Sequence, residues 1–283
     1  MIAITGASGN LGKATISFLL GKIDPASIVA IVRSPEKLQE LGSSGIQVRI
    51  ADYDDPASLK QALAGCEKLL QISSSGYGDT ATRQERQVVD AATQAGVKHI
   101  VYTSTLNPGN SNHFWAAATC GATEEAIRNS GMQFTFFRNS MYMETIPQFI
   151  GEAMETGQIY YPGGDAKISF VLRVDIAEAL SNVLSGEGHQ NKTYHITGDK
   201  STGFKEIAAL LKATKNLAAN YFDVPNEEFG KQLAAFGMPA EEIDFYLSMA
   251  DSIKANEFAA VHQDLELLLG HKRITIEEFM KTC

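Results

Sequence analysis

Ile2-Ala3-Ile4-Thr5-Gly6-Ala7-Ser8-Gly9-Asn10-Leu11-Gly12 joins an apolar strand to a helix through three glycines spaced Gly-x-x-Gly-x-x-Gly. The helical run Leu11, Ala14, Thr15, Phe18, Leu19 follows directly. Each glycine answers a steric demand. The first permits the tight turn, the second lets a pyrophosphate approach the backbone, and the third lets the helix pack closely on the strand. The N–H groups at the helix start then face the phosphates, with the positive end of the helix dipole behind them. In that setting Gly6, Ser8, Gly9, Asn10, Leu11 and Gly12 are expected to cradle a dinucleotide, where a glycine-rich turn elsewhere would only pack.

Residues 28–32 form a β-branched run without polar alternation, as a buried parallel strand requires. Arg33 comes next, 33 − 6 = 27 positions past Gly6, with Ser34 and Lys37 close behind and no acid before Glu36. An acidic residue in this region binds a ribose 2′-hydroxyl, whereas an arginine accommodates a 2′-phosphate, so Arg33 and Lys37 point to NADPH over NADH. Further strands are expected at 46–50, 69–72, 98–103 and within 131–139, with helices at 56–63 and 82–94 between them. Strands alternating with helices in this way predict an α/β Rossmann-type fold, a doubly wound parallel sheet with right-handed crossovers and its ligand along the carboxyl ends of the strands. Asp52 stands at one such end and either bonds the adenine amino group or caps the following turn. Ser73, Ser74 and Ser75 stand at another. They suit close approach to a ribose or nicotinamide, and they are equally the common ingredients of a loop.

Past Asn139 the regularity fades. A helix at 173–184 and a strand at 194–197 are expected, and residues 204–283 read as mainly helical. The economical division is a nucleotide-binding domain at 1–140 and a smaller substrate lobe at 141–283, interleaved with the sheet around 165–197. No apolar run reaches the ~20 residues that span a bilayer, and the first strand leaves no room for a cleavable signal, so cytoplasmic residence is expected. Three cysteines, Cys66, Cys120 and Cys283, are odd in number and lack metal-ligand spacing, which suggests free thiols and no metal site. A net charge of -9 argues against nucleic acid as a partner.

The glycine loop, Ile31-Val32-Arg33-Ser34-Pro35-Glu36-Lys37, Ala51-Asp52-Tyr53, Gly96-Val97-Lys98-His99-Ile100, and Phe137-Arg138-Asn139 followed by Tyr142 together resemble the NmrA-like, atypical short-chain dehydrogenase/reductase family. Within it, the similarity is strongest to the bacterial branch that reduces quinones and triphenylmethane dyes. The main branch of that superfamily uses Tyr-x-x-x-Lys, in which the lysine lowers the phenol's pKa so that it can exchange a proton with the substrate. No tyrosine of this chain has a lysine four positions on, and many relatives would carry a lysine near Cys120. Sugar epimerisation and alcohol dehydrogenation are therefore not expected.

The resemblance implies an NADPH-dependent reductase that passes hydride directly to a quinone or similar conjugated acceptor. Such an acceptor spreads the incoming charge over its own π-system, leaving the protein to orient it and exclude water. An apolar pocket from His113, Phe114, Trp115, Met141 and Phe170 would serve, although each of these side chains is also an ordinary core or surface residue. Asn139 and Tyr142 match the family's Arg-Asn-x-x-Tyr pattern and are the candidate catalytic pair, Asn139 orienting by hydrogen bonds and Tyr142 forming a wall or polar contact. Cys120 is either a redox-active thiol or an inert one; no lysine or arginine within seven positions favours the thiolate. Asp175 reads as architectural. A non-catalytic NADP(H) redox sensor that binds a protein partner is the alternative, motivated by the missing Tyr-Lys pair. The sequence is compatible with a homodimer and with a monomer.

Overall fold

Strand β1 (Ile2–Ile4) is buried along its whole length, and helix α1 (Asn10–Leu20) begins directly after the glycine loop. The computed structural model describes residues 1–34, 36, 44–74, 76–110 and 113–282. The chain continues through β2 (Ile28–Val32), β3 (Gln47–Ile50), α2 (Pro56–Ala62), β4 (Lys68–Gln71), α3 (Gly78–Ala95), β5 (His99–Thr105), α4 (Trp115–Asn129) and β6 (Gln133–Asn139). It then leaves the sheet for α5 (Ile146–Ile150), α6 (Ala153–Thr156), β7 (Gln158–Tyr160) and β8 (Lys167–Ile168). Helix α7 (Arg173–Ser185) and strand β9 (Lys192–Ile196) return to the sheet. The chain departs again through β10 (Thr202–Gly203), α8 (Phe204–Lys215), β11 (Asn220–Phe222), α9 (Asn226–Ala235) and α10 (Ala240–Lys254). Helices α11 (Asp264–Leu269) and α12 (Ile276–Thr282) complete it.

The sheet has seven parallel strands in the order β3-β2-β1-β4-β5-β6-β9. Strand order reverses between β1 and β4, which opens the crevice where open α/β sheets bind ligands. One face of the sheet is covered by α1, α7 and α11 through Leu11, Ile16, Ile176, Leu180 and Leu265. The other is covered by α2, α3 and α4 through Leu59, Val88, Ala92 and Ile127. Burial on both faces explains the uninterrupted apolar run of β2. A third core, with Ile146, Phe149, Phe204, Ile207, Met249 and Ile253, holds the mainly helical lobe together.

Two differences from the sequence reading concern boundaries. Helix α3 starts at Gly78, ahead of the expected 82, and closes at Gly96, whose φ of +79° forms the left-handed cap that glycine accepts at least cost. Strand β9 starts at Lys192 and pairs with β6, so the segment expected as an unplaced strand is the seventh member of the sheet. Asp175 is buried in α7, and its carboxylate accepts the Ile274 N–H at 2.8 Å, tying the last stretch of chain to the sheet layer. No helix of the described residues is long and apolar enough to cross a membrane.

At the amino-terminal end of β5, His99 is buried, its Nε2 2.8 Å from the Thr135 hydroxyl, while its Nδ1 has no partner among the described residues. Burial, with the charges of Lys68 and His189 nearby, pushes its pKa down from 6.5 to about 4. The fold therefore favours the neutral ring. This contribution is complete above pH 6.5 and is lost as pH falls from 6.5 towards 4, where the unfolded chain takes up the proton first. Stability should drop by up to ~3 kcal/mol across that window. Urea midpoints measured from pH 7 to 4.5 should show a steeper fall for the wild type than for His99→Gln; parallel curves would exclude His99 as a source.

Candidate active site

The glycine loop is built as a cradle. Gly6 has φ +61°, a conformation that L side chains rarely adopt. A Cβ on Gly12 would stand 2.4 Å from the Gly6 carbonyl oxygen and 2.8 Å from the Ala7 Cα, so only glycine lets α1 start this close to β1. The loop closes on itself, with the Gly9 N–H on the Gly6 carbonyl at 3.0 Å and the Lys13 N–H on the Gly9 carbonyl at 2.9 Å. Gly9 occupies the N-cap without a side-chain hydrogen bond to the first turn, so the Asn10, Leu11 and Gly12 N–H groups have no cap. Ser8 is half-buried and Asn10 exposed beside them, whereas the Leu11 side chain belongs to the core and only its backbone faces the loop. An uncapped helix start held this close to the carboxyl end of β1 fits a pyrophosphate.

Arg33 is exposed at the carboxyl end of β2, and its charge reaches Tyr53 and Asp54. Lys37 and Ser75 lie outside the described residues. Asp52 is exposed, and its carboxylate accepts the Asp54 N–H at 3.0 Å, forming a local turn. The cap of α2 is Asp55, which accepts from Ala57 and Ser58 at 3.0 and 3.2 Å. Tyr53, not singled out from the sequence, reaches the side chain of Thr5 and the backbone of Gly6, and burial raises its pKa. It thus braces the loop after β3 against the glycine turn.

After β4, the Ser73 N–H donates to the Thr103 hydroxyl at 2.9 Å, the Ser74 N–H to Glu85 Oε1 at 2.8 Å, and the Ser74 hydroxyl to Gln84 Oε1 at 3.0 Å. This loop forms one wall of an open cleft. The other walls are Tyr77 and Glu85 of the α3 start, Trp115, Thr119 and Cys120 of α4, and Phe245 of α10. The rings of Tyr77 and Phe245 lie 5.0 Å apart, so the helical lobe touches the loop beyond β4 at the cleft. Cys120 is buried, and its thiol is pushed up to about 12 by burial and by the neighbouring carboxylate of Glu85. Both effects favour the thiol over the thiolate at neutral pH, which supports the inert reading.

The expected aromatic pocket is only partly realised. Trp115 lines the cleft and is 42% exposed. Phe114 instead turns into the lobe, its ring 5.6 Å from Phe245 and 5.7 Å from Phe258. Phe170 is 2% exposed and packs against Phe149, so it too is core and not wall. Met141 is half-buried against the same core, and His113 is exposed at the turn before α4. Tyr77 and Phe245 take the places that sequence reasoning assigned to Phe114 and Phe170.

Asn139 and Tyr142 sit at the end of β6 and do not line this cleft. The Asn139 Nδ2 donates to the Tyr142 hydroxyl at 3.4 Å, and Asn139 is 4% exposed with an Oδ1 that has no partner among the described residues. The Arg173 guanidinium lies 4.8 Å from the centre of the Tyr142 ring. Burial raises the Tyr142 pKa, so its phenol keeps its proton at neutral pH. The pair can offer a hydrogen bond but no base.

The model of the NmrA-like family matches residues 1–280. The chain is 38% identical over 281 residues to quinone oxidoreductase 2 of Escherichia coli (strain K12), covering 98% of this chain and 96% of that one. Among solved structures, it resembles the E. coli NADPH-dependent quinone oxidoreductase complexed with NADPH, with a TM-score of 0.95, 36% identity and coverage of 100% and 99% of the two chains. It likewise resembles the Citrobacter sp. triphenylmethane reductase complexed with NADP(H), with a TM-score of 0.92, 36% identity and the same coverage. The strand order, the glycine cradle and a family match over almost the whole length agree, and the chain belongs to the NmrA-like family.

Proposed function

We propose that this chain is an NADPH-dependent reductase that transfers hydride directly to a quinone or a similarly conjugated acceptor. The observation that carries the proposal is the adjacency of two loops: the glycine loop follows β1, and the loop after the neighbouring strand β4 lines a cleft edged by Tyr77, Trp115 and Phe245. The relatives solved with NADPH and NADP(H) support the same cofactor. When bound, it supplies the hydride. The rest is done by the chain. The α1 start binds the pyrophosphate, Arg33 pairs with the 2′-phosphate, and the aromatic edges orient a flat acceptor and keep water from it.

Helix α4 presents Trp115, Thr119 and Cys120 to the cleft and no tyrosine-lysine pair. A conjugated acceptor needs neither, since its π-system spreads the charge and water can supply the last proton. Asn139 and Tyr142 serve as a polar pair behind the acceptor rather than as its acid. In this reading residues 1–140 carry the nucleotide and 141–283 cover the acceptor, in a cytoplasm that keeps the buried thiols of Cys66 and Cys120 reduced.

Steady-state assays with NADPH and a panel of quinones test the proposal, and turnover no faster than the reaction in free solution with every acceptor would refute it. The nucleotide preference has its own test. A charge-assisted contact to phosphate contributes roughly 1.5–3 kcal/mol, so Arg33→Ala should weaken NADPH about tenfold or more while NADH changes little. Equal losses for the two nucleotides would show that Arg33 does not read the 2′-phosphate.

A further inference from the structure

Glu85 stands in the cleft wall, 2% exposed, on the α3 helix. Its carboxylate accepts hydrogen bonds from the Tyr102 hydroxyl, from the Thr123 hydroxyl at 2.8 Å and from the Ser74 N–H at 2.8 Å. All three donors are neutral, and no lysine or arginine among the described residues pairs with it. The Ser74 N–H can only donate, the Tyr102 and Thr123 hydroxyls can donate or accept, and the Thr123 hydroxyl also reaches the Thr119 carbonyl at 3.0 Å, so the set accommodates the ionised form. Burial pushes the Glu85 carboxyl up from its ordinary value, and the three donors oppose that shift. The neighbouring Cys120 thiol stays protonated, its pKa at about 12, and adds no charge. In its ionised form, Glu85 puts one negative charge in the cleft wall, shielded from water and without a counterion among the described residues.

The hydrogen bond to Ser74 places that charge directly behind the loop after β4, beside the crevice where strand order reverses. On the reading of the site given above, a dinucleotide held at the glycine loop brings its nicotinamide end into this cleft. A reduced nicotinamide ring is neutral and an oxidised one is cationic. We propose that Glu85 discriminates between these two states, favouring the oxidised ring and so making the bound NADPH a stronger hydride donor. The electron pair leaves with the hydride to the acceptor, Glu85 exchanges no proton, and the positive charge left on the ring is what the carboxylate meets. At the effective dielectric of protein sites, two unit charges separated by several ångströms interact strongly enough for about a tenfold preference.

The test is a binding ratio rather than a rate. Wild type, Glu85→Gln and Tyr102→Phe are titrated calorimetrically with NADP⁺ and with NADPH. In Glu85→Gln the ratio Kd(NADP⁺)/Kd(NADPH) should rise about tenfold. In Tyr102→Phe, which removes a donor that favours the ionised carboxylate, the ratio should rise by less than in Glu85→Gln. An unchanged ratio in folded Glu85→Gln overturns the proposal, and so does a larger rise in Tyr102→Phe than in Glu85→Gln, which would mark a packing effect. Should Glu85→Gln not fold, the wild type is titrated with NADP⁺ and with the analogue carrying an uncharged benzamide in place of nicotinamide. Binding of the neutral analogue at least about fivefold weaker supports the field; equal affinities overturn it. A wild type that binds neither NADP⁺ nor NADPH removes the cofactor reading itself, and this proposal with it.

Discussion

Gly12→Ala should abolish tight NADPH binding and lower the melting temperature together. The added Cβ would lie 2.4 Å from the Gly6 carbonyl oxygen and 2.8 Å from the Ala7 Cα, and both are backbone atoms that no rotamer change can move aside. Helix α1 must lift from the turn. Overpacking of this kind costs roughly 1–3 kcal/mol of stability. The loss to the ligand is larger, because the first-turn N–H groups move off the phosphates. A decline in NADPH affinity of about a hundredfold or more is expected, equivalent to the loss of roughly two charge-assisted hydrogen bonds. Gly9→Ala is the control: its Cβ would be 3.3 Å from the same carbonyl on a backbone with φ −78°, so the fold should survive with little change in melting temperature. Calorimetric titration and thermal melts of both variants decide the matter, and wild-type affinity in Gly12→Ala would show that the loop is not the cradle.

Glu124→Ala should be strongly destabilising. The Glu124 side chain is 1% exposed and accepts from the Ser104 hydroxyl at 2.8 Å, from Arg138 Nε and Nη2 at 3.0 and 2.7 Å, and from Arg128 Nη2 at 2.9 Å. One carboxylate thus joins α4 to β5 and β6. Removing it leaves two guanidinium groups and a buried hydroxyl without their acceptor. Breaking a buried pair by deleting one partner costs about 3–5 kcal/mol. Arg128 and Arg138 are 44% and 24% exposed and can recover some water, which places the loss near ~3 kcal/mol. Glu124→Gln, which keeps an acceptor and the shape, should lose less. Urea denaturation measures both, and a loss under about 1 kcal/mol in Glu124→Ala would mean the cluster is a solvated surface pair. The same helix carries Trp115, Thr119 and Cys120, so nucleotide affinity should weaken in step with stability.

The parts of the molecule legible from sequence are those fixed by neighbours in the chain. The glycine spacing, the β-branched run at Ile28–Val32 and the helix at Arg173–Ser185 follow from backbone sterics and periodicity over a few residues. The parts that were not legible depend on contacts between distant residues. Tyr77 and Phe245 are 245 − 77 = 168 positions apart, and nothing local marks either as a cleft wall. Phe114 and Phe170 misled for a chemical reason: a large aromatic ring suits a ligand wall and a core equally well, and only the packing of the helical lobe decides between them. Asp52 and Asp55 show the same ambiguity at short range. Both are acids at the start of a helix, and the three-residue offset decides that Asp55 caps α2. Glu85 was missed because a glutamate within a polar helical segment reads as solvated surface, and only Tyr102, from the next strand, and Thr123, from the helix beyond it, reveal it as buried.

The path of the chain has one more consequence. The core on the α1 face mixes Ile4, Leu11 and Val101 with Ile176, Leu180, Leu265 and Leu268. A cut after residue 140 would strip the six preceding strands of β9, α7 and α11, which close one edge of the sheet and cover most of one face. Neither half can therefore be excised as a self-sufficient piece, and exchange of either half between relatives would carry mismatched halves of a shared core.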